Sequence, residues 1–229
     1  MIVLFYVGND VFDNSWELQG RPSSIKEPYF AFQDDGTFAP MAFRSRRSDE
    51  VSPVVALLRD HTMLWNIFET GILQKLTESQ ADADLRANRF NLNKMMMHSM
   101  KPSDRLDGAW RITLALLQRI RQFDAAQGIE TVVVVAPAAY QVYDADWTAL
   151  LQANGLRRDQ WSPTLPNETL ASASLPIGAP MLDLLPTMRA GAESGLSLYF
   201  PYNKHWTAAG HELAAQAIAT LLADRERGP

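Results

Sequence analysis

The amino-acid sequence predicts an α/β fold, a three-layer flavodoxin-like sandwich in which helices cover a parallel sheet. Two segments, Ile2 to Val7 and Thr131 to Ala136, are continuous runs of β-branched, aromatic and other apolar residues. Such runs are typical of strands buried on both faces. Apolar residues with helical spacing over 110–123 predict a helix, which Gly128 ends just before the second strand. A helix, a glycine stop and a strand in this order form the second half of a parallel βαβ unit.

Polar residues follow the first predicted strand at its carboxyl end. They are Gly8-Asn9-Asp10 and then Asp13-Asn14. Small and amide residues at this end of a buried strand indicate the ligand-binding edge of an open α/β sheet. A common turn is the alternative interpretation of the same residues.

A hairpin, a long helix and an irregular insertion are predicted between the two strands. Apolar stretches on both sides of Asp34-Asp35-Gly36 predict a hairpin over 26–43, which we expect to lie outside the main sheet. Ser52-Pro53 favours a helix start, and apolar spacing predicts a long helix over 54–76. Residues 78–104 are predicted as an irregular insertion. Within it, we interpret Met95 to His98 as core or interface packing, with an apolar acyl site as the alternative for the methionines.

The remainder of the chain is predicted to continue the alternation of helices and strands. A short helix over 146–151 stops at Gly155, and a proline-rich connection over 163–176 follows. Met181 to Leu185 is predicted as a third strand, and Thr207 as the N-cap of a last amphipathic helix. No repeat or linker divides the chain, so we predict a single domain over 1–229.

The composition argues against several classes of partner and site. The net charge of −5 disfavours a nucleic-acid partner, which selects for clustered Lys and Arg. The absence of cysteine excludes disulfides, thiolate zinc sites and a cysteine nucleophile, and leaves the compartment open. No apolar run reaches the ~18 residues of a membrane span, so we expect no such span in this chain.

An aromatic segment near the C-terminus, Leu198 to His211, presents His205 in a loop directly before the last predicted helix. A histidine held in a polar and aromatic loop at this place suits a general base of an α/β enzyme. The alternative is a half-buried loop histidine that is hydrogen-bonded to a carbonyl.

Together, Gly8-Asn9-Asp10 with Asp13-Asn14, and Tyr199 to Trp206 with Gly210-His211, resemble two sequence blocks of the SGNH (GDSL-type) hydrolase superfamily. In that superfamily a strand ends in a Gly-x-Asn-Asp block, and a late Asp-x-x-His or Asp-x-His-Trp block leads into the last helix. Both blocks occur here in the expected order, and the similarity runs over nearly the whole chain. The resemblance implies an SGNH hydrolase-like fold without a metal or organic cofactor.

The resemblance also implies roles for four residues. Asn9 would donate its side-chain amide to a developing oxyanion, in an oxyanion loop that begins at Gly8, and His205 would be the base. Asn203 stands in place of the family's acid; a neutral amide can orient an imidazole but cannot stabilise the imidazolium by charge. We expect Asp10 to hold its loop through backbone bonds, and Asp183, a conceivable substitute acid, to be structural.

The family's nucleophile, in a Gly-Asp-Ser block after an earlier strand, has no counterpart in this chain. We considered Ser15, Ser24, Ser99 and Ser197, and none stands between a strand and a helix as a nucleophile elbow requires. The resemblance therefore implies that the N-terminal strands of the fold are missing. It also implies that the first strand is a bare edge, open to self-association.

The leading functional hypothesis is an SGNH-like serine ester hydrolase that cleaves an acyl or O-acetyl ester, including one on a glycan. Without the serine block, we expect this chain to be inactive or strongly impaired as a hydrolase. A polysaccharide O-acetyltransferase is an alternative within the same superfamily. The alternative from another class is a non-catalytic binder of carbohydrate or of a partner, with an aromatic platform of Trp16, Tyr199, Tyr202 and Trp206.

Overall fold

The computed structural model describes residues 1–19, 29–41, 92–101 and 103–227, and within them it has five strands and eight α-helices. The strands are β1 (Ile2–Tyr6), β2 (Phe30–Phe32), β3 (Phe38–Pro40), β4 (Val132–Ala136) and β5 (Met181–Asp183). The helices are α1 (Asp10–Asp13), α2 (Leu92–Met95), α3 (Asp104–Ala125), α4 (Ala139–Val142), α5 (Asp144–Ala153), α6 (Leu165–Ile177), α7 (Leu185–Glu193) and α8 (Ala208–Glu226). Single 3₁₀ turns occur at Met96–His98 and Arg158–Gln160.

The main sheet has the order β1-β4-β5, and both pairings are parallel. In β1 and β4, Ile2 lies opposite Val132 and Tyr6 lies opposite Ala136. Chain order and spatial order agree, as in the 3-4-5 part of a flavodoxin-like sheet. The predicted α/β fold with a parallel sheet is confirmed.

Strand β4 is central because valines fill both of its faces. Val133 and Val135 pack into a core with Phe5 of β1 and with α3 and α6, where Phe5 and Trp110 stack 6.4 Å apart. Val132 and Val134 pack on the opposite face against α7, α8 and Leu198. All five residues of β4 are buried, which explains why its sequence has no polar alternation.

Strand β1 is covered on one face only. Val3 and Phe5 face the core beneath α3, whereas Ile2 and Leu4, on the other face, are 44% and 54% exposed. The helices α7 and α8 pack over β4 and β5 and leave this face of β1 open. The first predicted strand therefore exists, but it is buried on one side instead of two.

The predicted hairpin forms a separate two-stranded antiparallel sheet, β2-β3, in its described part. It lies against α3, because the Arg119 side chain donates to the Phe38 carbonyl (3.1 Å) and the Arg111 guanidinium stacks over the Phe32 ring. The predicted long helix over 54–76 lies outside the described residues. Within the described part of the predicted irregular insertion, residues 92–98 are helical.

The predicted proline-rich connection was wrong, because most of it is the helix α6. Pro166 lies in the first turn, where its missing N–H has no intrahelical acceptor in any case. Pro176 lies one residue before the helix ends, so little helix follows it. Leu170, Ala173 and Ile177 bury one side of α6 against the core of α3. The predicted third strand is also shorter than expected, since α7 begins at Leu185 with Pro186 in its first turn.

His98 is buried, as its interpretation as a packing residue requires. Its Nδ1 donates to the Ser162 carbonyl (3.0 Å), so the Tyr140 hydroxyl donates to Nε2 (3.1 Å). Met95 and Trp147 complete the surrounding cluster. Burial lowers the pKa of His98 to about 4, and the ring is therefore neutral near pH 7. No helix in the described part of the chain is long and apolar enough to cross a membrane.

We expect the chain to associate with itself through β1, because its outer edge is unpaired among the described residues and Ile2 is exposed beside it. Ile2→Lys places a charge at this edge and should shift the chain toward monomer in sedimentation velocity. Leu175→Lys is the matched control, since Leu175 is 90% exposed on α6 and away from β1. A parent chain that stays monomeric at high concentration would contradict this expectation.

We also expect His98 to make the fold acid-sensitive. Between pH 6.5 and pH 4 the unfolded chain binds a proton at this residue that the folded chain does not, so this part of the stability falls as pH decreases. Burial raises the pKa of Asp10 to about 6. Asp10 therefore makes the fold more stable as pH decreases, over a pH range that overlaps with that of His98. Comparing the parent with His98→Gln cancels the Asp10 contribution. From pH 7 to pH 4 the parent should lose up to about 3 kcal/mol more unfolding free energy than the variant, measured by urea titration. Parallel pH curves for the two proteins would refute this.

Candidate active site

His205 lies at the end of a tight loop between Tyr199 and Trp206, which form an antiparallel bridge. The Phe200 N–H donates to the His205 carbonyl (2.8 Å), and the Lys204 N–H donates to the Phe200 carbonyl (3.2 Å). These backbone hydrogen bonds fix the conformation of the loop, so the backbone of His205 has a defined position.

The base of this loop is attached to the segment that follows β4. The Tyr199 hydroxyl donates to the Pro137 carbonyl (2.7 Å), and the Leu198 N–H donates to the Tyr143 hydroxyl (2.9 Å). Helix α8 then begins as predicted, with the Thr207 side chain accepting from the Gly210 N–H (3.3 Å). A Cβ on Gly210 would lie 2.5 Å from the Leu198 carbonyl oxygen, so only glycine allows α8 to start this close to the loop.

Lys204 holds the outer part of the loop. Its Nζ forms an ion pair with Asp146 of α5 (2.8 Å), and both side chains are about one-third exposed. Its φ is +57°, and among the described residues no other residue except glycine has a positive φ. The backbone therefore turns through a left-handed position immediately before His205.

The other candidate residues lie where β1 ends. The Asp10 carboxylate accepts from the Tyr6 N–H (2.8 Å), which supports the predicted role of Asp10 in holding this turn. A Cβ on Gly8 would lie 2.4 Å from the Tyr6 ring, so a larger residue here would displace that ring. The Asn9 side-chain amide donates to the Asp13 carboxylate. An amide nitrogen has two hydrogens, and this bond uses one of them.

Asn9 and His205 line one cleft of about 500 Å³ at the carboxyl ends of β1 and β4. The other lining residues are Leu4, Tyr6, Ala136, Tyr199, Lys204, Trp206 and His211. Leu4 and Tyr6 lie on the face of β1 that α7 and α8 leave open. The two residues that the sequence analysis assigned to base and oxyanion donor are thus brought to the same surface.

The Asn203 side chain is bonded to the backbone of its own loop. Its side-chain oxygen accepts from the backbone N–H of His205 (3.1 Å), and no hydrogen bond joins it to the imidazole in the described part of the chain. A short side chain that bonds to the backbone two residues later stabilises the turn itself. The prediction that Asn203 replaces the acid remains a prediction, and in this structure the side chain serves the loop.

The other described residues that were weighed from the sequence as acid or nucleophile do not line the cleft, and Ser24 lies outside the described residues. Asp183 accepts from the Asn167 amide (2.7 Å) and from the Leu185 N–H (2.9 Å), which is the structural role that we expected. The Ser15 Oγ is buried and accepts from the Leu18 N–H, and the Ser99 Oγ accepts from the Lys101 N–H. No serine is among the described residues that line the cleft.

The aromatic platform of the binding hypothesis does not form as one surface. Trp16 packs on Tyr29 with ring centroids 5.5 Å apart and does not line the cleft. Tyr199 is buried, Tyr202 is exposed outside the cleft, and Trp206 lines it against His211. No group of three or more His, Asp or Glu side chains in the described ranges is placed to hold a metal ion.

Sequence reasoning missed three residues of this site, Tyr6, Lys204 and Asp146. Tyr6 was assigned to the strand only. It lies two residues after Leu4, and this spacing places both side chains on the same face of the strand. Lys204 stands between two residues that we considered, but neither its positive φ nor its ion pair has a local sequence signal. Asp146 is 58 residues away from Lys204 in the chain.

A family model described as SGNH hydrolase-like domain, acetyltransferase AlgX, matches residues 97–228, which is more than half of the chain. No curated protein and no solved structure matches this chain. The matched range contains Asn203 and His205 and begins after Gly8 and Asn9. The assignment of Gly8 and Asn9 therefore depends on the sequence block and on their position in the cleft.

We expect the backbone at residue 204 to matter more for stability than the lysine side chain. Lys204→Gly removes a partly exposed ion pair, which contributes little to stability. It also removes the strain of a positive φ, because glycine adopts this conformation freely. Lys204→Ala removes the same ion pair and keeps the backbone strain. Urea unfolding should show Lys204→Ala about 1 kcal/mol less stable than Lys204→Gly, with Lys204→Gly close to the parent. Equal destabilisation of the two variants would show that the side-chain contacts dominate.

Proposed function

The chain belongs to the SGNH hydrolase-like family described for the acetyltransferase AlgX, and we propose that its cleft takes an O-acyl ester and activates it for hydrolysis or transfer. His205 is the general base and the Asn9 side-chain amide is the oxyanion donor. The observation that carries this proposal is that His205 and Asn9, 196 positions apart by their numbers, line the same cleft.

The proposed chemistry needs a hydroxyl group and an acyl carbonyl between these two residues. The oxygen of the attacking hydroxyl bonds to the carbonyl carbon while His205 takes the proton of that hydroxyl. The carbonyl oxygen then becomes an alkoxide. The second N–H of the Asn9 amide donates to that alkoxide. When the tetrahedral intermediate collapses, the ester oxygen leaves with the proton from His205. If the attacking hydroxyl belongs to water the reaction is hydrolysis, and if it belongs to a sugar it is transfer.

An acetyl group on a carbohydrate is the substrate that we favour. The family description names an acetyltransferase, and the cleft is lined by apolar Leu4 and Ala136 together with the aromatic ring of Trp206. A short acyl chain suits such apolar residues, and an aromatic ring suits the apolar face of a sugar. The open face of β1 also leaves room for a substrate larger than the acyl group.

Two features reduce the catalytic power that we expect from this chain. No serine lines the cleft in the described part, and Asn203 stabilises the loop instead of the imidazolium. Serine hydrolases that lose one member of the triad keep about 10³–10⁴-fold catalysis over water from the oxyanion hole and binding alone. We therefore expect slow turnover without an acyl-serine intermediate.

This expectation can be tested with 4-nitrophenyl acetate and a fluorophosphonate probe. The chain should release acetate slowly and should not label with the probe. His205→Ala and Asn9→Ala should each lower turnover, by about 10²-fold for the donor. Tyr202→Ala is the control, because Tyr202 lies in the same loop but does not line the cleft.

Two outcomes would contradict the proposal. Turnover that is absent, or unchanged in His205→Ala, would remove the base from the mechanism. Fluorophosphonate labelling would show that a serine of this chain acts as nucleophile, and mapping the labelled peptide would identify it. Assaying acetylated and free oligosaccharides together would separate release to water from transfer to sugar.

A further inference from the structure

The Tyr6 hydroxyl is a polar group in the cleft to which the proposed mechanism assigns no role. Tyr6 is the last residue of β1 and lines the cleft together with Asn9 and His205. Its backbone N–H donates to Asp10, but its hydroxyl has no hydrogen-bond partner among the described residues. The residue is half-buried.

Other tyrosines of the described chain use their hydroxyls within the protein. Tyr199 donates to the Pro137 carbonyl, Tyr143 accepts from the Leu198 N–H, and Tyr29 donates to the Gln19 side chain (2.6 Å). Hydroxyls of half-buried and buried tyrosines normally have such partners. The Tyr6 hydroxyl lacks such a partner among the described residues and belongs to a residue that lines the cleft, which indicates that a ligand atom accepts its hydrogen bond.

The close packing at Gly8 places this hydroxyl beside the proposed oxyanion loop. A Cβ on Gly8 would lie 2.4 Å from Cε1 and Cζ of Tyr6 and 2.6 Å from its hydroxyl oxygen. The tip of the phenol therefore rests on Gly8, the residue directly before Asn9. Tyr6 and Asn9 both line the cleft, and the Tyr6 hydroxyl lies beside the residue that precedes Asn9.

We propose that the Tyr6 hydroxyl donates a second hydrogen bond to the acyl carbonyl oxygen of the substrate, beside the Asn9 amide. This inference rests on the proposed function, because it requires an acyl carbonyl in this cleft. The O–H bond stays intact, and no proton is transferred. The hydrogen bond strengthens as negative charge develops on the carbonyl oxygen, so it lowers the barrier more than it improves substrate binding.

The electrostatic surroundings keep this group in the donor form. Burial, and to a smaller extent the Asp10 carboxylate, raises the pKa of Tyr6 above its usual value. The phenol therefore remains protonated, and able to donate, at neutral and mildly alkaline pH. A donor of this kind adds no charge to the cleft.

The test is Tyr6→Phe in the full chain, assayed with 4-nitrophenyl acetate. Phenylalanine keeps the ring on Gly8 and removes only the hydroxyl. We expect kcat to fall about 10-fold or more, with KM nearly unchanged and the same pH profile, since one oxyanion donor is lost. Tyr29→Phe is the control, because it also removes a tyrosine hydroxyl, one that is bonded to Gln19 and lies outside the cleft. It should keep the parent kcat.

A second measurement uses the parent protein and does not depend on how the variant folds. With tyrosine labelled at ¹³Cζ, titration with acetamide, an uncharged carbonyl probe, should shift the Tyr6 resonance and leave that of Tyr29 in place. An unshifted Tyr6 resonance with acetamide bound would overturn the proposal.

The kinetic outcomes separate this inference from the proposed function. If Tyr6→Phe keeps the parent kcat while His205→Ala loses turnover, the role of Tyr6 is overturned and the proposed function stands. A raised KM with unchanged kcat in Tyr6→Phe would also overturn it, because the hydroxyl would then bind the ground state only. If turnover is absent, or does not depend on His205, the proposed function fails and the role of Tyr6 fails with it.

Discussion

The buried side chain of Gln141 holds together the loops on which the candidate active site depends. Its oxygen accepts from the Ala138 N–H (2.9 Å), and its nitrogen donates to the Pro163 carbonyl (2.7 Å) and to the Asn167 side chain (2.8 Å). A buried amide with both donors and its acceptor satisfied fixes its surroundings, because any displacement would leave a polar group unpaired. In this way α4, α6 and the segment after β4 are held as one unit. The loop of His205 is attached to this unit through Pro137 and Tyr143.

The open face of β1 explains both the cleft and the expected tendency to associate. Helices α7 and α8 pack against the valines of β4 and do not extend over β1. Leu4 and Tyr6 therefore form the floor of a cleft, while Ile2 is exposed at the opposite end of the same strand. A helix over β1 would bury this apolar surface and would also fill the space beside Asn9.

The sequence-based prediction was most accurate where local patterns coincide with tertiary packing. The valine run of β4, the hairpin turn at 34–36 and the Thr207 cap were all identified, because each depends on residues close in sequence. It failed at α6, where prolines at the two ends of a helix resemble those of a loop. The contacts of Leu170 and Ile177 with the core, which stabilise this helix, exist only in the folded structure. The bond from the His205 backbone to Asn203 was missed for another reason, since a turn and an orienting side chain need the same residue types.

By itself, the sequence determined the fold class, the family and the two residues proposed as base and oxyanion donor. Buried strands, helix caps and the histidine block are encoded by neighbouring residues and need no knowledge of distant contacts. The tertiary structure alone decided that Asn9 and His205 meet in one cleft, that Tyr6 enters it beside Gly8, and that Asp146 holds Lys204. The first of these facts depends on parallel pairing of strands more than a hundred residues apart in the chain, as Tyr6 with Ala136. Such pairing brings carboxyl ends together and leaves no mark in the local pattern of either strand.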